Sequence, residues 1–488
     1  MAPSVTSNAS VDDWPGTPAH TDPLRNRVDT TDLHLTRGWE FSNPNVTHPL
    51  ADRSRITIVQ YRRSRSIAVI GSGIAGLTAA YLLSAHDHVT LFEAEDQLGG
   101  HRRDHRVDDG SGGTVAVDSA FLIHDDTRPT LCRLFADLGV DTVDADPSLS
   151  VRDDRIGLQY ARMRGFGGLF PSWSNLARPR YLRLLAEVNR FHRAAATLLA
   201  TGDAEDTGTL GAFLSVHKFS RYFADHFVTP LVATVWSGGP RTTMEIPARY
   251  LFAFLQQHGM LSGSESAAPR TVVGGSAGYV DAIAAHGDEV RTGTPAGAVR
   301  RIPDGIELRA GGALREFDAV VIATRSDQAL QALHEPTDAE RAALGAIRYS
   351  TEHVCVHTDT SVLPTRPAAR ALRNYLLPES GRDALITHDI GRLLGVTGPH
   401  HYLMTLGGSG RVDPAAVITE LTYQRPLYTT ESIAAQRLLP MLNDDRVVFA
   451  GAYHGWGFGE DGAASGARAA ERLGAQWPAA RESEAMPC

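Results

Sequence analysis

The sequence predicts an α/β fold in which a parallel-sheet domain is interrupted by an inserted, discontinuous α+β domain. Three observations carry this. Four apolar residues, Ile67 to Ile70, read as a buried strand and run directly into Gly71, Gly73 and Gly76 at G-x-G-x-x-G spacing. A second strand pattern, His88 to Phe92, ends at Glu93. Buried-strand patterns then return at Phe317 to Thr324 and Arg446 to Gly451, beyond long helical stretches. Strand, glycines, helix, strand and acid in this order read as a Rossmann-type unit that binds a dinucleotide.

Each element has a local reason. Gly71 permits the tight turn, Gly73 lets the backbone approach a pyrophosphate, and Gly76 lets the helix pack closely on the strand. Ile74 to Leu83 reads as that helix, with its N-terminus aimed at the phosphates. Glu93 can accept hydrogen bonds from the adenosine ribose hydroxyls. With Gly99 and Gly100 following it, the pattern points to FAD rather than NAD. Thr114 to Ile123 is strand-like, and Pro129 to Leu138 is helical and ended by Gly139. Arg180 to Leu199, Leu210 to Phe227 and Ala248 to His258 then read as helices, so the βαβ alternation stops. Short strands return at Thr271 to Val273, Val290 to Thr294, Ala298 to Ile302 and Gly305 to Arg309. Residues 326–440 mix helices (Pro336 to Leu344, Glu431 to Leu439) with strands (Glu352 to Thr358, Tyr402 to Leu406). After a glycine- and aromatic-rich loop, a last helix is expected to present its N-terminus at Asp461, Gly462 and Ala463. The expected organisation is a polar N-terminal extension over 1–63, a dinucleotide domain from 64–125, 266–325 and 441–480, and a substrate domain from 126–265 and 326–440.

Composition bounds the function. The chain has 488 residues, 42% hydrophobic and 21% charged, as in ordinary globular proteins. A net charge of −9 gives no nucleic-acid footprint. No apolar run approaches the ~20 residues of a membrane helix, and the N-terminus lacks a signal pattern, so a cytoplasmic location is expected. Cys132, Cys355 and Cys488 suggest neither a disulfide framework nor a metal site. No H-E-x-x-H occurs, and His86 and His88, like His400 and His401, have no third ligand in view, so no metal is expected. Lys218 is the sole lysine, which leaves no lysine base elsewhere.

In this order, the glycine fingerprint, Glu93, Gly99-Gly100, the Val272-Val273-Gly274-Gly275 segment, the DAVVIAT strand (318–324) and the C-terminal FAGA…EDGAASG segment resemble the flavin-containing amine oxidase superfamily. That superfamily includes amine oxidases, protoporphyrinogen oxidase and phytoene desaturases. The sequence is more similar still to a bacterial branch described as "predicted NAD/FAD-binding protein". The branch pattern is carried by LFEAEDQLGGH (91–101), VDSAFLIHDD (117–126), VWSGGP (235–240), MEIPARY (244–250), LGAIRYS (344–350), HTDTSVLP (357–364), IAAQRLLP (433–440) and GAYHGWGFGEDG (451–462). The likeness runs over about residues 65–475 and leaves the first 60 unmatched.

The resemblance implies a glutathione-reductase-like FAD-binding domain with the flavin ring at the boundary to the substrate domain. It assigns cofactor contacts to Gly71, Gly73, Gly76, Glu93, Gly100, His101, Arg102, Val273, Gly451, Asp461, Gly462 and Ala463. Where the superfamily often has Gly-Gly-Arg, His101 stands first here, so the arginine role passes to Arg102 or is absent. No cysteine stands where the monoamine oxidases link flavin, so the FAD is expected to be non-covalent. Tyr453, His454 and Trp456 are the candidate catalytic residues, and Trp236 and Phe458 the candidate pocket wall. His454, at its ordinary pKa of about 6.5, would suit base work, although plain packing is the competing reading.

Departures from the family pattern bear on the substrate. Amine-oxidising members commonly keep a lysine that holds a water near the flavin; Lys218 reads as surface, so that lysine is missing. Gly459 and Arg425 replace histidines of the branch, and Ser119-Ala120 replaces Thr-Gly. The expected function is therefore an FAD-dependent oxidoreductase of oxidase or desaturase type. It would move a hydride from a C–H bond of a small hydrophobic, lipid-like or specialised-metabolite substrate to flavin N5. The alternatives are a flavin amine oxidase, a flavin-dependent double-bond isomerase and a non-catalytic FAD-binding protein. Arg162 to Arg183 interleaves arginines with Phe166, Phe170, Trp173 and Tyr181, which suits either a peripheral membrane contact or a solvated edge. No nucleic-acid partner is expected, and the oligomeric state is not legible.

Overall fold

The structure, a computed structural model, describes residues 64–100, 104–108, 113–119, 123–125, 129–201, 208–261, 269–380, 384–407 and 410–477. The expected N-terminal extension and the candidates His101 and Arg102 lie outside the described residues.

Ser66–Ile70 sits at the centre of a five-stranded parallel sheet because its apolar side chains are covered on both faces. The spatial order is Glu289–Arg291, His88–Phe92, Ser66–Ile70, Ala319–Ile322, Val447–Phe449. All four pairings are parallel. Helices Ile74–Leu83, Pro129–Leu138, Ala277–Ala284 and Gly459–Arg472 contribute the core on one face. Pro129–Leu138 thus packs with the dinucleotide domain through Leu131, Leu134 and Phe135, although the sequence reading puts it in the insert. The other face is covered by an antiparallel meander, Ala296–Ile302, Gly305–Ala310 and Ala313–Phe317.

The apolar run Phe317 to Thr324 belongs to two sheets. Phe317 closes the meander, and Ala319–Ile322 joins the parallel sheet. Asp318 makes the corner, its carboxylate accepting from the Ser66 N–H at 2.7 Å and the Ser66 hydroxyl at 3.0 Å.

The insert is built on a seven-stranded mixed sheet. Its order is Val417–Pro426, Tyr349–His357, Leu403–Leu406, Leu385–Asp389, Arg373–Leu377, Leu149–Asp153, Leu158–Arg162. Its apolar core includes side chains of helices Pro179–Ala200, Leu210–Val216 and Ala248–Gln257 and of the run 221–236. The pattern Leu210 to Phe227 is not one helix. Lys218 takes φ 53°, and Ser220 restarts the chain by accepting from the Phe223 N–H at 3.1 Å. Glu187 fixes Ser220 through its N–H at 3.1 Å and its hydroxyl at 2.6 Å. A π-turn, Ala224–Val228, then leads into Thr229–Trp236.

Cys132 is disulfide-bonded, where the sequence reading expects no disulfide framework. Cys355 is a free thiol. Among the described residues no helix is long and apolar enough to cross a membrane, and no His/Cys/Asp/Glu group could hold a metal ion.

Candidate active site

The site begins where three adjacent parallel strands end. Ile70, Ile322 and Phe449 run into Gly71, Ala323 and Ala450-Gly451 at the same edge of the sheet. Gly71, at φ 100°, lies against the Ala323 carbonyl, which a Cβ would approach to 2.9 Å. A Cβ on Gly76 would lie 1.9 Å from the Gly71 carbonyl oxygen, so only glycine lets the helix start this close to the strand. Gly73 differs: a Cβ there would meet nothing within 4 Å. The fingerprint therefore leaves open space at the one glycine expected to face a pyrophosphate. Gly73 caps helix Ile74–Leu83, whose first hydrogen bond comes from the Leu77 N–H, so the earlier N–H groups remain as anion donors.

Glu93 is buried at the mouth of this loop. It accepts from the Ser72 N–H at 2.9 Å, the Ser72 hydroxyl at 2.5 Å and the Glu95 N–H at 3.0 Å. A carboxylate offers about four acceptor positions, so capacity for a ribose hydroxyl remains. The Gly99 N–H reaches the Ser72 hydroxyl at 3.0 Å, and Gly100, at φ 67°, abuts Gly73. Val273 is half exposed, and its N–H is taken by the Asp141 carbonyl at 3.0 Å.

The last helix is Gly459–Arg472, two residues earlier than expected. The Gly462 N–H already bonds the Phe458 carbonyl at 3.1 Å, so Gly462 offers no free donor. The N–H groups ahead of it in this first turn are those of Gly459 and Glu460. The Asp461 carboxylate reaches back to the Phe458 N–H at 2.9 Å, and Glu460 turns away to cap helix Pro129–Leu138 through the N–H groups of Thr130 and Leu131 at 3.1 and 2.8 Å. Gly462 and Gly466 instead let this helix lie on Ile74 and Ala75, where any Cβ would clash. Ala463 is buried in the same core. The first turns of two helices are thus brought together at one sheet edge, a placement that favours bound negative charge.

Between them runs the turn 451–458. Ser465 receives the Gly451 N–H at 2.9 Å. The Gln436 amide donates to the carbonyls of Tyr453 and Gly455 at 2.9 and 2.7 Å, and the Tyr250 hydroxyl donates to the Gly455 carbonyl at 2.9 Å. The Trp236 indole donates to the Trp456 carbonyl at 2.9 Å. Around the turn, Trp236 contacts Phe254, Tyr428 and Phe458, while Tyr250 stacks on Tyr428 at 5.3 Å and Phe254 on Phe458 at 5.3 Å. Trp236 and Tyr428 also line a small cavity of about 50 Å³ with Ser350, Glu352 and Pro426.

Four buried polar atoms on or against this turn have no hydrogen-bond partner: Tyr453 Oη, His454 Nε2, Trp456 Nε1 and Tyr428 Oη. Buried polar atoms are normally satisfied, so this cluster marks where a ligand with polar edges would supply partners. The open space at Gly73, the Glu93 carboxylate and these orphan atoms fit the polar groups of an FAD.

Burial dominates the titration of the site. It raises the Tyr250, Tyr428 and Tyr453 hydroxyls well above the ordinary tyrosine range. It also lowers His454 to about 3, with Arg468 adding to the effect. The expectation of an ordinary histidine pKa is corrected: His454 is a neutral imidazole at physiological pH. Sequence reading missed Tyr250, Phe254, Tyr428 and Gln436. Only Tyr250, Phe254 and His258 left a signal, the i, i+4, i+8 spacing of one helical face. Lys218 is exposed, on the turn after Leu210–Val216, as the sequence reading has it.

Comparison with known proteins agrees with this geometry. The family described as flavin containing amine oxidoreductase matches residues 74–360, more than half of the chain. No curated protein sequence matches. Among solved structures, cyclohexylamine oxidase from Brevibacterium oxydans IH-35A is similar with TM-score 0.58 and 17% identity, over 84% of this chain and 98% of that one. A putrescine oxidase bound to putrescine gives TM-score 0.58 and 15% identity over 84% and 99%. A CLA-producing fatty acid isomerase from P. acnes gives TM-score 0.58 and 16% identity over 83% and 97%. At these identities the likeness carries the fold alone.

Proposed function

The chain belongs to the flavin-containing amine oxidoreductase family and is an FAD-dependent oxidoreductase, and from that premise we propose that it abstracts a hydride from a C–H bond of a neutral, hydrophobic substrate. FAD, when bound, supplies the hydride acceptor. The observation that carries the reading is the aromatic enclosure of Trp236, Tyr250, Phe254, Tyr428, Trp456 and Phe458 around the turn, with no lysine near it.

Gly71, Gly73, Gly76, Gly100 and Glu93 would hold the adenosine diphosphate part of the FAD, and Gly451 with the first turn of Gly459–Arg472 would hold its flavin end. The free N–H groups of that turn stabilise negative charge on their ligand. Trp236, Trp456 and Phe458 exclude water and orient the substrate C–H bond, which is the main requirement of the step. His454 stays neutral and can receive or donate a hydrogen bond at Nε2 without carrying charge.

A second reading, amine oxidation, has one observation in its favour: Glu352 lines the small cavity beside Trp236 and Tyr428 and could pair with an ammonium group. Arg425, in the adjoining strand, already exerts an opposing charge on Glu352, and burial raises the Glu352 pKa. Peripheral membrane contact has the exposure of Met163, Phe166 and Trp173 in its favour. Arg178 is engaged with the Ile156 and Gly157 carbonyls, so Arg180 and Arg183 are the arginines to reverse in vesicle co-sedimentation.

Anaerobic mixing with medium- and long-chain acyl compounds and, separately, with primary amines tests the proposal. Bleaching of the flavin absorbance by the apolar set, with a product lighter by two hydrogens, is expected. A product of unchanged mass means isomerisation, bleaching by amines alone means amine oxidation, and no bleaching by either set removes both substrate readings.

A further inference from the structure

A second cavity lies at the opposite edge of the insert's sheet, between the end of strand Leu158–Arg162 and helix Pro179–Ala200. Its volume is about 460 Å³, within the ~300–1,000 Å³ of small-molecule sites. The small cavity beside Trp236 touches Ser350 and Glu352, on a strand five positions away in the sheet order, and the two cavities share no lining residue. The two are therefore different places on the insert.

The wall is apolar except at one point. Leu169, Leu184, Leu185, Val188 and Phe227 supply hydrocarbon, and Arg162 supplies a guanidinium. That guanidinium lies 4.6 Å from the centre of the Phe227 ring. Among the described residues no hydrogen bond or ion pair engages it, and its pKa is lowered by burial. The nearest titrating neighbours give no counter-charge. Tyr160 is a phenol donating to the His226 carbonyl, and burial holds His192 neutral at about 4. A cation–π contact offsets part of the desolvation of a guanidinium, but not the missing anion. Met163 lines the same cavity and is 64% exposed, so the space opens to solvent there, beside exposed Phe166.

We propose that this cavity binds an amphiphilic monocarboxylate, with the carboxylate paired to Arg162 and the hydrocarbon tail packed between Leu184, Leu185, Val188 and Phe227. Arginine forks two parallel hydrogen bonds to a carboxylate, and the tail removes the apolar wall from water. A neutral amphiphile would gain the wall without the pairing. A hydrophilic anion would gain the pairing without the wall. The ligand comes either from solution as monomer or from a bilayer in contact with the mouth at Met163 and Phe166.

The test uses the FAD-loaded full chain and calorimetric titration with dodecanoate and with dodecanol. Dodecanoate is expected to bind one per chain. Arg162→Met should weaken it at least about tenfold, while dodecanol binds both proteins alike. Val188→Trp, which fills the cavity, should abolish binding of both ligands. FAD content and melting temperature of each variant show that it is folded; should Val188→Trp fail to fold, the dodecanoate-against-dodecanol contrast in Arg162→Met still decides. Dodecanoate binding unchanged by both substitutions, which would assign it to the aromatic pocket, overturns the proposal, as does no binding to the wild type. With dodecanoate preloaded in phosphatidylcholine vesicles, a transfer rate that rises with vesicle concentration assigns pick-up from the bilayer. A rate independent of vesicle concentration assigns the aqueous monomer, and no transfer overturns the site.

Discussion

Glu93 holds Ser72 by two hydrogen bonds, one from the Ser72 backbone N–H at 2.9 Å and one from its hydroxyl at 2.5 Å. The acid that ends the second strand therefore also fixes the middle of the glycine fingerprint. It braces that loop from inside the protein, in addition to the ribose contact proposed for it.

Glu93→Ala is expected to weaken FAD retention roughly ten- to hundredfold, the loss of charge-assisted bonds worth ~1.5–3 kcal/mol. Ser72→Ala should do the same more weakly, because the backbone N–H still finds the carboxylate. Flavin-to-protein ratio after gel filtration and fluorescence titration of the apoprotein measure both. Equal retention in Glu93→Ala and wild type would remove this role.

Glu460 couples two helices, since it sits in the first turn of one and accepts from the first turn of another. Glu460→Ala is expected to lower stability by about 1–2 kcal/mol through loss of that cap. Denaturant unfolding with unchanged slope reads this directly.

The Trp236 indole anchors the Trp456 carbonyl. Trp236→Phe keeps an aromatic wall but removes the donor, so KM for the apolar substrate should rise several-fold with FAD content unchanged. Steady-state kinetics beside the flavin ratio separates this from general unfolding.

His454 is neutral until about pH 3. His454→Ala is expected to slow flavin reduction with FAD still bound, and the pH profile from 5 to 8 should be the same in both proteins. An inflection near pH 6–7 in the wild type that the variant lacks, seen by stopped flow, would restore base chemistry to this residue.

Acid should destabilise the fold in a defined window. His124, His192 and His357 are held near 4 by burial, and His454 near 3. The unfolded chain takes up these protons from about pH 6.5 downward while the folded chain does not. The stability these groups contribute is thus present above pH 6.5 and is lost as pH falls toward 4 and then 3. His357 accepts the Asp359 N–H at Nδ1 and faces the Thr405 hydroxyl at Nε2, so protonation would oppose one donor with another. His357→Asn should flatten the slope of stability against pH between 6.5 and 4, as measured by urea unfolding at stepped pH.

By itself the sequence determined the dinucleotide unit. Gly71, Gly73, Gly76 and Glu93 are legible because each answers a local demand, a turn, an approach or a strand end, and the spacing carries the geometry. The parallel strands are legible because burial on both faces leaves unbroken apolar runs. Trp236, Tyr453, His454, Trp456 and Phe458 were legible as candidates through family resemblance, not through any local rule. What only the tertiary structure decided is who meets them. Tyr250, Phe254, Tyr428 and Gln436 come from distant segments and converge on 451–458 through hydrogen bonds and ring contacts that no periodicity records. The start of the last helix was misjudged by two residues because Gly457 and Phe458, packed against Tyr428 and Phe254, set it from outside the helix. The protonation of His454 was misjudged for the same kind of reason. A pKa reports the loss of water around a group, and that loss exists only once the chain has packed.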